Sequence, residues 1–312
     1  MPGPQVAGHT ADTGAVSQHA PSESAGTRQA STAAFEFVRE LASELSSSTI
    51  ELPSFPKVAA QVQKVLAEDS TSAERVVRVL GAEPMLAARV LSMANSVALA
   101  PGGKAVSELR TAVTRLGFDA LRTAVIGYAL AQLRSAPAFK AIERPLNAFW
   151  QHSVLVAALS FVLARRSGRC SADTAMLAGI VHGVGKLYIL TRAMRHPALF
   201  ADRVSYQRIE RDWHGGIAKA LLENWRMADE IVVAVSMYSD PDRELRGTGA
   251  ALADILEVAD AVARWRDAPE LLGRQLEELP GAQRMALDTA TCHALLDESA
   301  IELTALRAAL GS

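Results

Sequence analysis

The chain has 312 residues, of which 49% are hydrophobic and 5% aromatic, and its formal net charge is −2. This length suits one large domain or two smaller ones with a substantial buried core. A nearly neutral chain has no general electrostatic attraction for nucleic acid or anionic lipid, so we expect neither a nucleic-acid nor a membrane partner. Cys170 and Cys292 form no paired motif and the N-terminus lacks a secretory pattern, which predicts a cytoplasmic protein.

The first half of the chain reads as helices separated by short breaks. Residues 1–32 are rich in small and polar residues without apolar periodicity, which predicts a disordered tail. Residues 33–136 form a predicted N-terminal helical subdomain, with order beginning near Phe35. Thr71 and Glu74 have the spacing of a helix-capping box, and Pro84 suits the first position of the next helix. Two further helices are expected on either side of Gly117.

The second half predicts a helical subdomain over residues 137–266. Its longest helix should run from about Ile142 to Arg166, and a later helix from Gly249 to Trp265 carries one apolar face. Residues 267–312 are expected to add a C-terminal extension of one or two helices. No segment alternates with a period of two residues, so the sequence predicts an all-α fold without a sheet.

One uncharged stretch, Pro145 to Ala164, needs comparison with a membrane span. It contains Asn147, Gln151 and His152, and its apolar part begins only at Val154. That part is too short to cross a bilayer, which takes roughly 20 apolar residues. We therefore expect a buried central helix.

Several motifs in order along the chain identify a family resemblance. They are Glu83-Pro84-Met85-Leu86, Ala112-Val113-Thr114-Arg115-Leu116-Gly117, Phe149-Trp150-Gln151-His152-Ser153, His182-Gly183-Val184-Gly185-Lys186-Leu187 and Val258-Ala259-Asp260. Over roughly residues 45–266 the sequence resembles the HDOD family, a branch of the HD-domain superfamily. The resemblance implies an all-α, HD-like multi-helix bundle preceded by an N-terminal helical subdomain.

The resemblance also implies a metal site, which this chain carries in incomplete form. The superfamily holds its metal with a His, an adjacent His-Asp pair and a distant Asp. These positions correspond to His152, His182-Gly183 and Asp260, so the pair has lost its carboxylate. A two-metal hydrolase holds its ions about 3.5–4 Å apart. Without a bridging carboxylate at Gly183 we expect no such centre, and therefore no enzyme.

Two interpretations of the remaining ligand-type residues stay open. His152 and His182 can be satisfied core histidines, and Asp260 a capped or ion-paired carboxylate. Alternatively, His152, His182 and Asp260 form a vestigial three-ligand set for one divalent metal, with an open fourth position as in catalytic zinc sites. Apart from this residual metal, no cofactor is expected.

Further candidates are charged or polar residues near these motifs. Lys186 matches a family lysine and is a candidate phosphate contact, with a solvent-reaching side chain as its alternative. His214, beside Gly215-Gly216, is expected at the surface start of a helix, although a ligand contact is also considered. Arg110, Arg115 and Arg122 are candidates for a partner-binding surface, or else for ordinary ion-paired surface residues.

Three functions follow as hypotheses. The first is a non-catalytic bacterial signal-transduction protein that binds a regulatory protein partner or a small ligand. The second is a residual single-metal phosphohydrolase or phosphodiesterase using His152, His182 and Asp260. The third is a nucleotide or cyclic-dinucleotide sensor, which needs a basic pocket with aromatic side chains, although no spacing in the sequence singles out a base-stacking pair.

Overall fold

A computed structural model of the chain describes residues 25–47, 50–53, 55–68, 70–99, 104–240, 247 and 249–311. Within these residues there are helices and no strand, which confirms the predicted all-α class. Residues 1–24 of the predicted disordered tail lie outside the described part. Helix α1 already begins at Ala25, about ten residues before the periodicity near Phe35 places the first ordered segment.

The first half of the described chain contains five helices and a short 3-10 helix. They are α1 (Ala25–Ser46), α2 (Lys57–Leu66), α3 (Ala73–Leu80), α4 (Pro84–Ala94), α5 (Leu109–Arg134) and the 3-10 helix Pro137–Ile142.

The second half contains eleven helices within the described residues. They are α6 (Glu143–Ser167), α7 (Ala172–Val181), α8 (Val184–Ala193), α9 (Pro197–Ala201), α10 (Arg203–Asn224), α11 (Asp229–Met237), α12 (Ala250–Trp265), α13 (Pro269–Glu278), α14 (Pro280–Arg284), α15 (Thr289–Glu298) and α16 (Ala300–Leu310). The C-terminal extension therefore has four short helices, and the expectation of one or two was wrong.

Helix ends in the first half follow local chemistry, with one correction. The side chain that caps α3 belongs to Ser72, which accepts from the backbone N–H of Arg75, and not to the predicted Thr71. Pro84 stands at the start of α4, as predicted. The first residue of a helix donates no hydrogen bond within the helix, so the N–H that proline lacks is not needed there. Gly117 has φ 72° and ψ 177°, so it divides α5 into two helical arms as predicted.

Helix α6 is the central element of the fold. It packs along α7 and also against α12 and α16, and its residues Val154, Val156 and Val162 are fully buried. Two helical segments, Pro137–Ser167 and Ala172–Ala193, are long and apolar enough to cross a membrane, and most of each is buried inside the fold. Burial by neighbouring helices explains their composition, as predicted for the Pro145–Ala164 stretch.

In the second half of the chain, α8 and α10 approach each other closely. A Cβ at Gly185 on α8 would lie 2.0 Å from the main-chain oxygen of His214 on α10, so only glycine permits this separation. Helix α10 also packs on α11, and α11 packs on α12. These contacts place the C-terminal end of α7, the start of α8 and the middle of α12 around one cleft.

Candidate functional site

Three side chains with metal-ligand chemistry meet between α6, α7 and α12. His152 lies on α6, His182 follows the last residue of α7, and Asp260 lies on α12. One donor atom from each lies within 4.8 Å of the others. Nε2 of His152 is 2.6 Å from Oδ1 of Asp260, and Nε2 of His182 is 3.8 Å from the same oxygen. The structure thus brings together the residues that the family resemblance suggested.

The ring of His182 is held in one orientation and kept neutral. Its Nδ1 lies 2.7 Å from the main-chain oxygen of Gly179, one turn earlier on α7. If Nδ1 carries the proton and donates it there, Nε2 presents a lone pair to the site. Burial lowers the pKa of His182 to about 3 against the opposing effect of Asp260, and the nearby Lys186 ammonium acts in the same direction as burial. His182 is therefore uncharged at neutral pH.

The carboxylate of Asp260 is stabilised by groups of this chain. Burial alone would raise its pKa, but the hydrogen bond with His152 and the charges around it hold the pKa well below its usual range. Arg264, one turn further along α12, donates to Oδ2 at 2.9 Å. Each carboxylate oxygen of Asp260 therefore has a partner: His152 contacts Oδ1 and Arg264 contacts Oδ2.

The space beside Gly183 is filled by an aromatic ring. A Cβ at this position would lie 2.6 Å from Cε2 and 3.1 Å from Cζ of Phe149 on α6. Real Cβ atoms are not found at the shorter distance, so any side chain at Gly183 would displace the ring. The missing side chain at Gly183 and the position of Phe149 are thus two parts of one local arrangement.

The donor set suits one metal ion better than two. Ligand atoms about 2.0–2.2 Å from a tetrahedral ion lie roughly 3.3–3.6 Å from one another. The donors of His152, His182 and Asp260 would reach this spacing with small side-chain movements, since all lie within 4.8 Å. Gly183 adds no second carboxylate, and the Phe149 ring lies where one would extend. Bound in this way, a single ion would supply Lewis acidity and an activated water.

A cleft of about 1050 Å³ opens beside the three residues. It is bounded by α8, α10, α11, α12 and the extension, and Lys186, His214, Tyr238, Asp260 and Arg264 line it. The buried ring of Tyr238 lies between the two histidines, 5.8 Å from His182 and 6.4 Å from His214 between ring centroids. Lys186 lies at the cleft wall, and its role as a phosphate contact stays a prediction.

His214 departs from its expected surface position. It lies in the middle of α10, is only 5% exposed, and its Nε2 is 2.9 Å from Oγ of Ser239. Burial, followed by the charge of Lys186, lowers its pKa to about 4. The expectation of a surface helix start was wrong, because Gly215-Gly216 continue α10 and the backbone at Gly215 packs closely against α11.

The three arginines of the predicted partner surface lie away from this cleft and contact the chain itself. Arg110 forms an ion pair with Glu74. Arg115 donates to the main-chain oxygens of Ala94 and Lys104, and Arg122 donates to that of Leu66. Their guanidinium groups thus support local structure, and a partner surface there stays a prediction.

Sequence reasoning missed Phe149, Arg264, Tyr238 and Ser239. Arg264 carried a usable signal, since it lies four residues after Asp260 and so on the same helix face. Phe149 precedes His152 by three residues, but no pattern shows that its ring turns toward Gly183. Tyr238 and Ser239 follow α11 and reach the site only through the packing of α10 on α11.

Comparison with known proteins identifies the family and the fold. A family model described as the HDOD domain matches residues 52–241. A protein from Shewanella amazonensis SB2B, provisionally described as a metal-dependent phosphohydrolase, is 24% identical with a TM-score of 0.68, covering 89% of this chain and 99% of its own. An HDOD domain protein with unknown function from Geobacter sulfurreducens is 23% identical with a TM-score of 0.58, covering 89% and 96%.

A third similar structure is described as a signalling protein. It is a provisionally described signal transduction protein from Marinobacter aquaeolei VT8, 23% identical with a TM-score of 0.56, covering 92% of this chain and 66% of its own. At these identities the likeness to solved structures shows the helical HD-like fold alone. No curated protein matches the chain significantly.

Proposed function

Since the chain belongs to the HDOD family, we propose that it is a non-catalytic regulatory module of bacterial signal transduction. In this proposal it works in the cytoplasm and binds a regulatory protein or a small ligand in the cleft beside His152, His182 and Asp260. The observation that carries the proposal is the ring of Phe149 in the space that a side chain at Gly183 would need. Gly183 supplies no carboxylate to a paired-metal centre, and the ring would have to move to admit one.

The electrostatics of the site support the same function. Asp260 contacts His152 and Arg264, so its charge is balanced without a divalent ion. His182 is neutral and donates no charge to the site. A buried carboxylate that lacked such partners would be strongly destabilising, whereas this one is stable as it stands. These contacts therefore stabilise the fold without needing a bound ion.

The walls of the cleft suggest how binding would be transmitted. Lys186 and His214 come from α8 and α10, while Gln275, Glu278 and Leu279 come from or directly follow α13 of the C-terminal extension. A bound molecule would touch both the HD-like helices and the extension. Its binding energy would therefore favour one relative position of these two parts.

Purified protein tests the proposal directly. We expect no turnover of phosphomonoester or phosphodiester substrates with added Mn²⁺, Mg²⁺ or Zn²⁺, because the site lacks a second carboxylate. The matched variant is His152→Ala, with Arg166→Gln as a surface control remote from the cleft. Steady cleavage by the parent protein that disappears in His152→Ala and persists in Arg166→Gln would contradict the proposal.

A single-metal phosphohydrolase is the second candidate, favoured by the convergence of His152, His182 and Asp260. In that case these three residues would hold one ion, and Lys186 would orient a phosphate at the cleft wall. Elemental analysis after growth in metal-supplemented medium separates the candidates. One Mn, Fe or Zn per chain, lost in His182→Ala, would favour the enzyme, whereas a small fraction of an ion per chain would exclude it.

A further inference from the structure

A second pocket adjoins the cleft and has a different character. It encloses about 410 Å³, within the size range of sites for small ligands, which is roughly 300–1,000 Å³. Its wall is formed by Pro145, Phe149, Lys186, Leu190, Phe200, Arg203, Tyr206, Gln207 and Glu210. Lys186, Gln207 and Glu210 also line the cleft, so the two spaces share one wall.

Three of the wall residues are aromatic, in a chain with only 5% aromatic residues. Phe200 on α9 and Tyr206 on α10 have ring centroids 5.7 Å apart and an interplanar angle of 34°. Phe200 is 37% exposed, although transfer of a phenyl ring out of water is favourable. The third ring is that of Phe149, which occupies the space beside Gly183. The pocket thus offers aromatic surface that a flat ring would cover.

The charges of this pocket differ from those of the larger cleft. Lys186 and Arg203 are its two cations, and Glu210 is its one acid. Burial raises the pKa of Glu210, against the effects of Lys186 and Arg264, so this carboxylate is less strongly acidic than usual. The cleft instead has an acidic majority, with Asp212, Asp240 and Glu257 among its wall residues. An anionic group is therefore better accommodated beside Lys186 and Arg203.

From these features we propose that the pocket binds a small anion bearing a planar aromatic ring, such as a nucleoside monophosphate. The ring lies against Phe149, Phe200 and Tyr206, and the anionic group meets Lys186 and Arg203. Base stacking on aromatic side chains and charge-assisted hydrogen bonds are the interactions required. The inference rests on the proposed regulatory function and adds to it a small-ligand site of stated chemical class in the pocket that adjoins the cleft.

Isothermal titration calorimetry of the full chain in EDTA tests this proposal. The probes are AMP, GMP, CMP and UMP, together with phenyl phosphate as the simplest aromatic anion. Adenosine supplies a ring without a charge, and ribose 5-phosphate supplies a charge without a base. We expect saturable binding of at least one nucleotide, and at least tenfold weaker binding of adenosine and ribose 5-phosphate. Tighter binding of phenyl phosphate than of any nucleotide would identify a non-nucleotide aromatic anion.

Two variants separate the contribution of the rings from that of the cations. Phe200→Ala should weaken binding of the ring-bearing anions at least about fivefold, as expected for loss of one stacking partner. Arg203→Gln should weaken nucleotide binding but leave adenosine binding unchanged. Phe118→Ala and Lys219→Gln are the matched controls, since both side chains are exposed and neither lines the pocket. The controls should bind all probes as the parent does.

Three results would overturn the inference: no saturable binding of any ring-bearing anion, equal affinity in Phe200→Ala, or ribose 5-phosphate binding as tightly as AMP. None of them would restore a metal centre, so the non-catalytic function would stand. Conversely, release of phosphate from a bound nucleotide with added metal would refute the non-catalytic function while supporting the binding site. The two proposals can therefore fail separately.

Discussion

Phe149 and Gly183 together determine which chemistry this site can hold. The 2.6 Å separation between Cε2 of the ring and a Cβ at position 183 means that a carboxylate can be added only if the ring moves. Phe149 is partly buried and lines the pocket of about 410 Å³, so a side chain at position 183 would push the ring toward that pocket. A carboxylate at position 183 therefore competes with the ring for space, and a second substitution at Phe149 would relieve that competition.

We expect Gly183→Asp alone to lower stability without creating a metal site, because the new side chain overlaps Phe149. Overpacking of this kind typically costs about 1–3 kcal/mol. The double variant Gly183→Asp/Phe149→Ala should bind Mn²⁺ at least tenfold more tightly than the single one, measured by calorimetric titration. Phe149→Ala alone is the control. Equal Mn²⁺ affinity in Gly183→Asp and in the double variant would show that the ring is no obstacle.

A second single residue, His214, makes the free energy of unfolding depend on pH. Burial and the charge of Lys186 hold its pKa at about 4, below the unfolded value of about 6.5. Between these values the unfolded chain binds a proton that the folded chain does not, so stability is complete above pH 6.5 and falls toward pH 4. Lys186, Tyr238 and Ser239 face this ring. For one such histidine, the loss between pH 7 and pH 5 is about 2 kcal/mol.

The measurement is urea unfolding of the parent and of His214→Gln at pH 7 and pH 5. Glutamine can still bond to Ser239 but takes up no proton in this range. The parent should therefore lose about 1–2 kcal/mol more than the variant on acidification. Identical losses in the two proteins would mean that His214 takes up its proton equally in the folded and unfolded chains.

Among the elements, α16 is joined to the core by contacts at its very end. Arg89 on α4 donates to the main-chain oxygen of Leu310, and Nε1 of Trp150 on α6 lies 3.3 Å from that of Gly311. The Arg89 guanidinium also lies over the Trp150 ring, 5.9 Å from its centroid. These contacts connect the end of the extension to helices from both halves of the chain.

We expect Arg89→Leu to loosen α16 selectively, because the main-chain oxygen of Leu310 at the helix end loses its donor. Loss of a hydrogen bond to a charged donor costs about 1.5–3 kcal/mol. Hydrogen exchange should accelerate in α16 before it does so in α7. Arg166→Gln is the control, since it removes only an exposed ion pair with Glu298. Uniform acceleration over all helices would show that α16 does not open independently.

At the scale of the whole molecule, Asp254 ties the extension to the centre of the fold. This α12 carboxylate is 2% exposed and contacts Arg169, which lies between α6 and α7, and Arg284 of α14. Leu272 and Leu306 of the extension are fully buried. The extension is thus part of the same packed structure.

We expect Asp254→Ala to destabilise the whole chain by about 1.5–3 kcal/mol, because the charged hydrogen bonds that Arg169 and Arg284 donate to this carboxylate are lost. The thermal transition should remain single but move to lower temperature, as followed by circular dichroism at 222 nm. Glu298→Ala, at an exposed ion pair of the extension, should change little. A separate early transition in Asp254→Ala would show that the extension melts independently.

The sequence by itself determined the helical class, the break at Gly117 and the buried central helix, and its family resemblance suggested the set His152, His182 and Asp260. These features depend on local propensity, on hydrophobic periodicity and on motifs that occur in order along the chain. Packing alone decided that Phe149 fills the space at Gly183, that His214 is buried and that Phe200 and Tyr206 form a pocket. Such contacts join residues of different helices, whose relative rotation no local pattern specifies.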